Sequence, residues 1–218
     1  MEEYLRSTYV INCDSSQILE KAGELTSTIM TQRDKAINLF YFVRDEISHE
    51  PYAPGYVLDD YKASTTLARG NGFCTHKAIL LTALARAINI PARLGFVDIY
   101  DNLLSFEFRK ILGGGNLLIY HGYSELFIGN RWIHASPAYD LNKCDQYGFV
   151  PVEFDGINSF KDSRFNGKGR PHIEWVNDHG TYADFPWDEI SQAGKEFWSN
   201  LGKDWTEVGK HWRGDKMK

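Results

Sequence analysis

The sequence has little of what marks membrane, secreted or zinc-binding proteins. None of its hydrophobic runs approaches the roughly 20 residues that a membrane-spanning helix needs. Its three cysteines, Cys13, Cys74 and Cys144, are far apart and odd in number, which argues against a disulfide framework and against zinc held by paired cysteines. The acidic N-terminus has no signal-peptide pattern. We therefore expect a cytoplasmic protein in a reducing compartment, with no membrane partner.

Clusters of basic residues are also missing. The chain has 24 Lys and Arg against 29 Asp and Glu, which gives a formal net charge of −5 at pH 7. Without a basic run, a protein of this charge is not expected to bind nucleic acid. Apolar residues, by contrast, make up 43% of the 218 positions and aromatic residues 14%. That content is sufficient for one sizeable hydrophobic core.

A glycine-rich turn at residues 70–73 leads directly into Cys74, and apolar residues then recur at spacings of three and four up to Ile88. This pattern predicts a buried helix that begins at the cysteine. Backbone N–H groups and the helix dipole stabilise negative charge at such a position, so a thiolate is favoured there. Cys74 is therefore a candidate nucleophile, and the alternative is a small apolar core residue.

The rest of the chain reads as a mixture of helices and strands. Apolar periodicity and capping residues predict two helices before the glycine turn, and alternation predicts three strands after the cysteine helix, the last two joined by a Gly129-Asn130 hairpin turn. We also expect an irregular strand near the N-terminus and two loops that shape a cleft. The ranges are helices at 17–30 and 33–47, strands at 4–12, 92–100, 120–128 and 131–135, and loops at 49–63 and 101–117.

A thiol nucleophile needs a base, and His121 lies on the predicted central strand. If that strand lies beside the start of the cysteine helix, the imidazole can reach the sulfur, although most histidines have only structural roles. His172, Glu174 and His179 are the remaining group that could bind a metal ion. Their spacing fits no usual site, so we expect neither a metal nor a cofactor.

Two blocks of residues resemble the core of the transglutaminase-like superfamily. The first is the Gly70–Cys74 turn with its apolar helix, which ends in Arg86 and is followed by Ile90-Pro91-Ala92-Arg93. The second has His121, Glu125, a turn at Gly129 and Trp132 in the same order and at the same offsets as the family. With the helix at 36–47, the resemblance covers residues 30 to 140.

The resemblance implies an α+β, papain-like fold in which the cysteine helix packs on an antiparallel sheet. It implies Cys74 as nucleophile, His121 as base and the Cys74 backbone N–H as a donor to the oxyanion. The third catalytic residue departs from the family, because Ser136 stands before Pro137 where an Asp is usual. Asp140 is the nearest carboxylate, and we favour Asp140 over Ser136 as the residue that orients His121. The alternative for Asp140 is a solvated turn residue.

The resemblance further implies acyl transfer from an amide or ester through an acyl-thioester on Cys74. We expect hydrolysis of a peptide or amide substrate, as in a cysteine peptidase or amidase. One alternative is a protein-glutamine acyltransferase, that is, a transglutaminase. Another is a non-catalytic binding module that keeps the fold, and the serine at position 136 is its best support.

We expect a single domain over residues 1–190, with its core at 30–140 and a wrapping segment with short strands at 141–190. An amphipathic C-terminal helix is predicted over 191–218, because five apolar residues recur there at alternating spacings of three and four and form an apolar seam. Three glycines in this helix weaken it, so packing must hold it. It either docks on its own domain or mediates self-association or a partner contact. The seam residues are Trp198, Leu201, Trp205, Val208 and Trp212, and the glycines are Gly194, Gly202 and Gly209.

Overall fold

The computed structural model describes residues 1–159, 165–166 and 168–212. Its centre is a four-stranded antiparallel sheet, in which the strands defined below follow the order β5-β4-β3-β6. The helices are α1 (Ser16–Thr26), α2 (Gln32–Asp45), α3 (Ala63–Arg69), α4 (Cys74–Ala87), α5 (Phe106–Ile111), α6 (Leu141–Tyr147), α7 (Trp187–Asn200) and α8 (Trp205–Trp212). The strands are β1 (Ser48–His49), β2 (Asn71–Gly72), β3 (Ala92–Asp101), β4 (Leu117–Ile128), β5 (Arg131–Ala135) and β6 (Ile173–Tyr182). Short 3-10 helices lie at Glu2–Tyr4 and Leu58–Tyr61.

The cysteine helix α4 is the buried centre of the molecule and packs on β4, as the sequence predicts. Residues 75–86 are all buried. Ser124 of β4 donates a hydrogen bond to the Ala78 carbonyl at 2.8 Å and accepts one from the Thr82 hydroxyl at 3.1 Å, so the helix and the strand are joined at two points. The prediction of an α+β fold with a cysteine helix on an antiparallel sheet is confirmed.

Helices α1 and α2 cover the other side of α4 and complete the main core. Ser15 caps α1 by accepting from the Ile18 N–H, and Thr31 caps α2 by accepting from the Asp34 N–H. The predicted hairpin between β4 and β5 is also confirmed. Both residues of its turn have left-handed backbone conformations, with φ of 58° at Gly129 and 67° at Asn130.

The arginines of the first motif hold the fold together. Arg86, at the end of α4, is buried and donates to the carbonyl oxygens of Arg6, Ala92 and Ala183. One guanidinium thus ties the N-terminal segment, the start of β3 and the segment after β6 to the core. Such a planar fork of donors suits several carbonyl oxygens at once.

Arg93, at the start of β3, is the second arginine of the motif and contacts both neighbouring strands of the hairpin. Arg93 pairs with Glu125 at 2.6 Å and lies over the ring of Trp132, with 4.2 Å between the guanidinium carbon and the ring centroid. The register places Arg93 opposite Glu125, so the pair fixes how β3 and β4 align. These motif residues therefore stabilise the scaffold that holds the site.

Three segments differ from their predictions. Residues 4–12 form no strand, and a 3-10 helix lies at Glu2–Tyr4 instead. The excursion at 101–117 contains α5, which Ser105 caps. The segment 141–190 does more than wrap, because it supplies α6 and the ten-residue strand β6. Strand β6 escapes prediction because it is a largely exposed edge strand, held to β3 by backbone pairing rather than by an apolar face.

The predicted C-terminal helix is divided in two and begins earlier than expected. Helix α7 starts at Trp187, and Gly202 between the helices has a φ of 70°, which a continuing α-helix cannot contain. The side chains of residues 198, 201, 205 and 208 pack on α5 and Tyr52. The side chain of Trp212 and residues 213–218 lie outside the described part. Within the described part, no helix is both long enough and apolar enough to cross a membrane.

Candidate active site

Cys74 is the first residue of α4, directly after the N-cap Phe73. The Phe73 N–H donates to Nδ1 of His76 at 3.4 Å, and the His76 ring stacks on Tyr61 with centroids 4.9 Å apart. His76 is thus occupied in the core, as its position two residues after the cysteine predicts. Cys74 as a whole residue is half-buried.

His121 of β4 is brought against Cys74. Burial alone would raise the pKa of the Cys74 thiol, but the charge of His121 and a hydrogen bond from its side chain act in the opposite direction. The Gly122 backbone N–H and the Thr75 hydroxyl add to them, and the pKa of Cys74 lies below its ordinary value. The thiolate is therefore stabilised at a site that would otherwise disfavour it.

Close contact between β4 and the start of α4 makes this geometry possible. A Cβ atom placed on Gly122 would lie 2.9 Å from the Cα of Thr75, so only glycine fits. The Thr75 hydroxyl lies 3.8 Å from the Cys74 sulfur and donates to the Tyr120 carbonyl at 3.5 Å. The strand and the helix thus approach each other most closely where the thiol and the imidazole meet.

Tyr120, just before His121, has an unusual backbone. Its φ is 50°, which is rare for a bulky residue, and its N–H donates to Oδ1 of Asp98 at 2.9 Å. The same carboxylate oxygen lies 2.8 Å from Nε2 of His179, on β6. Sequence reasoning missed Asp98 and placed His179 in a candidate metal group, since pairing of β6 with β3 was not visible.

Asp140 is buried, but both of its carboxylate oxygens accept backbone hydrogen bonds. Oδ2 accepts from the His49 N–H at 2.6 Å, and Oδ1 accepts from the Lys143 N–H at 2.9 Å as the N-cap of α6. These contacts tie α6 to β1. They give Asp140 a structural role, and its role in orienting His121 stays a prediction.

Ser136, the other candidate for that role, is fully buried and directly follows β5. The last residue pair of the hairpin is Ser124 and Ala135, so Ser136 lies just beyond the paired part of β5. Ser124 is three residues along β4 from His121. Which of Ser136 and Asp140 orients His121 stays a prediction.

A second histidine, His49, lies beside the site in an uncharged form. Burial is the main cause that lowers its pKa to about 3, and the Lys77 ammonium adds to the effect. Its Nδ1 is 3.1 Å from the Ala138 carbonyl, which can only accept, so the proton is on Nδ1. Burial therefore favours the neutral form of His49.

A cavity of about 180 Å³ opens at Cys74 and is mostly apolar. Its floor comes from the start of α4 and from β4, and its walls come from α5, from the loop at 49–61 and from the two C-terminal helices. The lining residues are His49, Pro51, Gly55, Tyr61, Phe73, Cys74, Thr75, Leu104, Phe108, Leu112, Leu117, Leu118, Ile119, Tyr120, His121, Tyr139, Ile190, Gly194, Phe197, Trp198 and Trp205.

A smaller cavity of about 60 Å³ adjoins the first and shares His49, Pro51, Leu104, Phe108 and Tyr139 with it. It also contains polar groups, among them Asp101 and Lys143. The Tyr139 hydroxyl donates to Oδ2 of Asp101 at 2.6 Å, and Nε2 of His172 lies 3.5 Å from Oδ1 of that carboxylate. These contacts fix the tyrosine ring at the boundary between the two cavities.

The candidate metal ligands of the sequence do not meet. His172 pairs with Asp101, whereas His179 pairs with Asp98. Across residues 1–159, 165–166 and 168–212, no three His, Cys, Asp or Glu side chains are grouped to hold a metal ion.

Solved structures with a similar arrangement include several bacterial proteins at low sequence identity. A proposed cysteine protease from Cytophaga hutchinsonii is 16% identical with a TM-score of 0.49, and the match covers 79% of this chain and 62% of that one. The arylamine N-acetyltransferase of Mycobacterium abscessus is 12% identical with a TM-score of 0.47, covering 86% and 71% of the two chains. The periplasmic domain of TgpA from Pseudomonas aeruginosa is 21% identical with a TM-score of 0.40, covering 62% and 46%.

The chain thus spans less than two thirds of the first of these structures and less than half of the TgpA domain. No curated protein matches the sequence. The sequence model of the transglutaminase-like superfamily matches residues 20–137, more than half of the 218 positions, and this range includes both Cys74 and His121. The chain therefore belongs to the transglutaminase-like superfamily.

Proposed function

We propose that the chain is a cysteine-dependent acyl-transfer enzyme, in which Cys74 is the nucleophile, His121 is its base and water is the usual acceptor. The observation that carries the proposal is the contact of His121 with Cys74 at the first residue of α4. There the histidine, the Gly122 N–H and the Thr75 hydroxyl together outweigh the cost of burial and lower the pKa of the thiol. A structural cysteine in the core would have a raised pKa, as Cys13 and Cys144 do. Membership of a superfamily with a cysteine-based core supports the same assignment.

The reaction would proceed in two steps. The Cys74 thiolate attacks the carbonyl carbon of an amide or ester, and the backbone N–H of Cys74 donates to the oxyanion that forms. His121 then protonates the leaving amine or alcohol, and an acyl-thioester remains on Cys74. In the second step, His121 takes a proton from water as its oxygen attacks the thioester, and the thiolate leaves with the acid released.

The walls of the cavity favour water over a lysine side chain as acceptor. An incoming ammonium group would need a carboxylate beside the sulfur, and the described residues that line the main cavity include no Asp or Glu. This supports amide or ester hydrolysis, in the manner of a peptidase or amidase, above transamidation. The three free cysteines support a reducing, cytoplasmic location.

Alkylation of Cys74 by iodoacetamide as a function of pH tests the proposal. An ordinary thiol of pKa about 8.5 is only about 0.3% ionised at pH 6. We expect Cys74 to react many times faster at that pH, and His121→Ala to shift its reaction to higher pH. Cys13 and Cys144 serve as internal controls, since burial raises the pKa of both, that of Cys144 to about 11. An ordinary rate for Cys74 at pH 6 would refute the proposal.

Incubation with a peptide library, with and without a primary amine, shows whether water or an amine accepts the acyl group. It also distinguishes an enzyme from a non-catalytic binding module. Mass spectrometry should detect hydrolysed products with the wild type and none with Cys74→Ala. Amide products that form only with added amine would instead indicate a transglutaminase. Binding without any product, in both forms, would indicate the non-catalytic module, which the serine at position 136 favours.

A further inference from the structure

We infer that the acyl group accepted at Cys74 is uncharged, apolar and about the size of one aromatic ring or a chain of six to eight carbons. The inference rests on the proposed function and specifies its substrate. The relevant features are the composition of the cavity walls, the cavity volume and the way in which the C-terminal helices are fixed in place.

The cavity is closed where α5 meets the C-terminal helices. Phe108 and Leu112 of the α5 region form one buried cluster with Trp198 of α7, so the two walls touch above the floor. The floor itself is the β4 segment 117–119 beside the sulfur. A group attached to Cys74 would therefore lie among aliphatic and aromatic side chains, from which burial excludes water.

Apart from the reacting pair Cys74 and His121, the walls offer no charge. Among the described residues that line the main cavity there is no Asp, Glu, Lys or Arg. Burial keeps the other histidine of the lining, His49, neutral. A carboxylate or ammonium at the far end of the acyl group would lose its hydration without gaining a partner, which is unfavourable. Charged acyl groups are therefore excluded by the same walls that bind apolar ones.

The volume sets the size of the group. An apolar cavity of about 150 Å³ holds a benzene molecule in another protein. The cavity at Cys74 measures about 180 Å³, so one ring with a short linker, or a chain of roughly six to eight carbons, would fill it. An acetyl group would leave most of the space empty, and a long fatty acyl chain would exceed it.

Two glycines show that the C-terminal wall is fitted to its neighbours. A Cβ atom on Gly194 of α7 would lie 2.5 Å from the ring of Trp205, and one on Gly209 of α8 would lie 2.2 Å from the ring of Tyr56. The glycines therefore allow α8 to approach both α7 and the loop at 49–61. Lys203, between the helices, adds a hydrogen bond to the Ile111 carbonyl of α5. The wall is thus formed before a substrate arrives.

We assign this cavity to the acyl group rather than to the leaving group. The acyl group stays on the sulfur through both steps, whereas the leaving group must depart before water can attack. The smaller cavity on the other side of Tyr139 contains Asp101 and Lys143, so it suits a polar departing group. An apolar space next to the sulfur suits the group that remains.

The test uses p-nitrophenyl esters of acetate, butyrate, hexanoate, octanoate, decanoate, phenylacetate and glutarate with the full chain. We expect kcat/KM to rise about fourfold for each added methylene, to peak at hexanoate, octanoate or phenylacetate, and to fall at decanoate. Glutarate, which carries a charge at similar length, should be at least a hundredfold poorer than hexanoate. Equal rates across the series, or a preference for acetate or glutarate, would overturn the inference.

Matched variants locate the selectivity. Phe108→Ala should move the optimum to longer chains, because it removes a ring from the wall. Phe106→Ala is the control, since Phe106 is on the same helix but 77% exposed and does not line the cavity. Phe197→Ala makes the same test from the opposite wall if Phe108→Ala fails to fold. A shift of the chain-length optimum in the control but not in the wall variants would refute the assignment. Selectivity that follows the leaving group in a set of acetate esters would also refute it.

A binding measurement separates this inference from the proposed function. Calorimetric titration of Cys74→Ala with hexanamide and with glutaramate needs no catalysis. Tighter binding of hexanamide, weakened by Phe108→Ala, would support the apolar site even if no ester acylated the wild type. Acylation of Cys74 without any preference for hexanamide would support the proposed function and overturn the inference.

Discussion

The imidazole of His179 lies flat against the ring of Tyr120, with 3.9 Å between the ring centroids and 13° between the planes. Asp98 joins the two residues, because one of its carboxylate oxygens meets both the histidine ring and the Tyr120 backbone N–H. This contact fixes a left-handed backbone conformation one residue before His121. Contacts from β6, an edge strand of the sheet, thus help to position His121, the proposed base.

Loss of the Asp98 carboxylate should disturb His121. Asp98→Ala frees the Tyr120 backbone to leave its unfavourable conformation, which is worth roughly 1–3 kcal/mol. We expect kcat to fall by about 10- to 100-fold with little change in KM, and alkylation of Cys74 to shift to higher pH. Asp98→Asn, which keeps an acceptor for the Tyr120 N–H, should lose less. An unchanged alkylation profile in Asp98→Ala would contradict the positioning role.

Gly122→Ala should separate β4 from the start of α4. The added methyl group would meet the Thr75 backbone, which cannot move without moving Cys74. We expect slower alkylation of Cys74 at pH 6 and a lower melting temperature. Gly23→Ala is the control, since nothing lies within 4 Å of its added carbon, and it should stabilise α1 by up to about 1 kcal/mol. Normal Cys74 reactivity in Gly122→Ala would argue against the tight contact.

Asp140→Ala should reduce stability and leave the thiol unchanged. It removes the N-cap of α6 and the acceptor for the His49 N–H, so we expect a loss of about 2 kcal/mol in the free energy of unfolding. The alkylation profile of Cys74 should stay the same, whereas Ser136→Ala should alter it. Denaturant titration and alkylation measure the two effects. The reverse result, with a shifted profile in Asp140→Ala alone, would show that Asp140 orients His121.

Lys77 should make stability rise with pH. Burial is the main cause that lowers its pKa to about 7, although Asp140 and Asp45 oppose it. Between that value and the unfolded value of about 10.4, the unfolded chain binds the proton and the native protein does not, so the free energy of unfolding increases with pH. Relative to Lys77→Met, the wild type should gain about 1–2 kcal/mol from pH 6.5 to 8.5 in denaturant titrations. A constant difference would show that Lys77 stays charged when folded.

The Cys74–His121 pair could be predicted because its signals are local. A glycine turn, helical periodicity and the offsets of Glu125 and Trp132 all lie within short stretches of sequence. The structure shows that Glu125 and Trp132 meet Arg93 at the start of β3, so the motif mainly specifies strand register. Register, in turn, determines where His121 stands along β4.

The remainder of the site depends on contacts between distant segments. Asp140 was favoured because it is the carboxylate nearest in sequence, yet its oxygens serve backbone groups that no sequence pattern reveals. His179 lies on β6, a polar and largely exposed edge strand that apolar alternation does not reveal. In the sequence, Gly194 and Gly209 only lower the stability of the predicted helix. The rings that require them, Trp205 and Tyr56, are distant in sequence from the glycine that each contacts, and Tyr56 lies in the N-terminal half of the chain.

The C-terminal wall of the cavity lies outside the stretch that the family model matches. The family match ends at residue 137, whereas Ile190, Phe197 and Trp205 line the cavity from beyond it. The catalytic pair and this wall therefore lie in different stretches of the chain, whereas Phe108 on the opposite wall lies within the family match. A graft of residues 187–212 onto a related core would exchange the C-terminal wall and leave Cys74 and His121 in place.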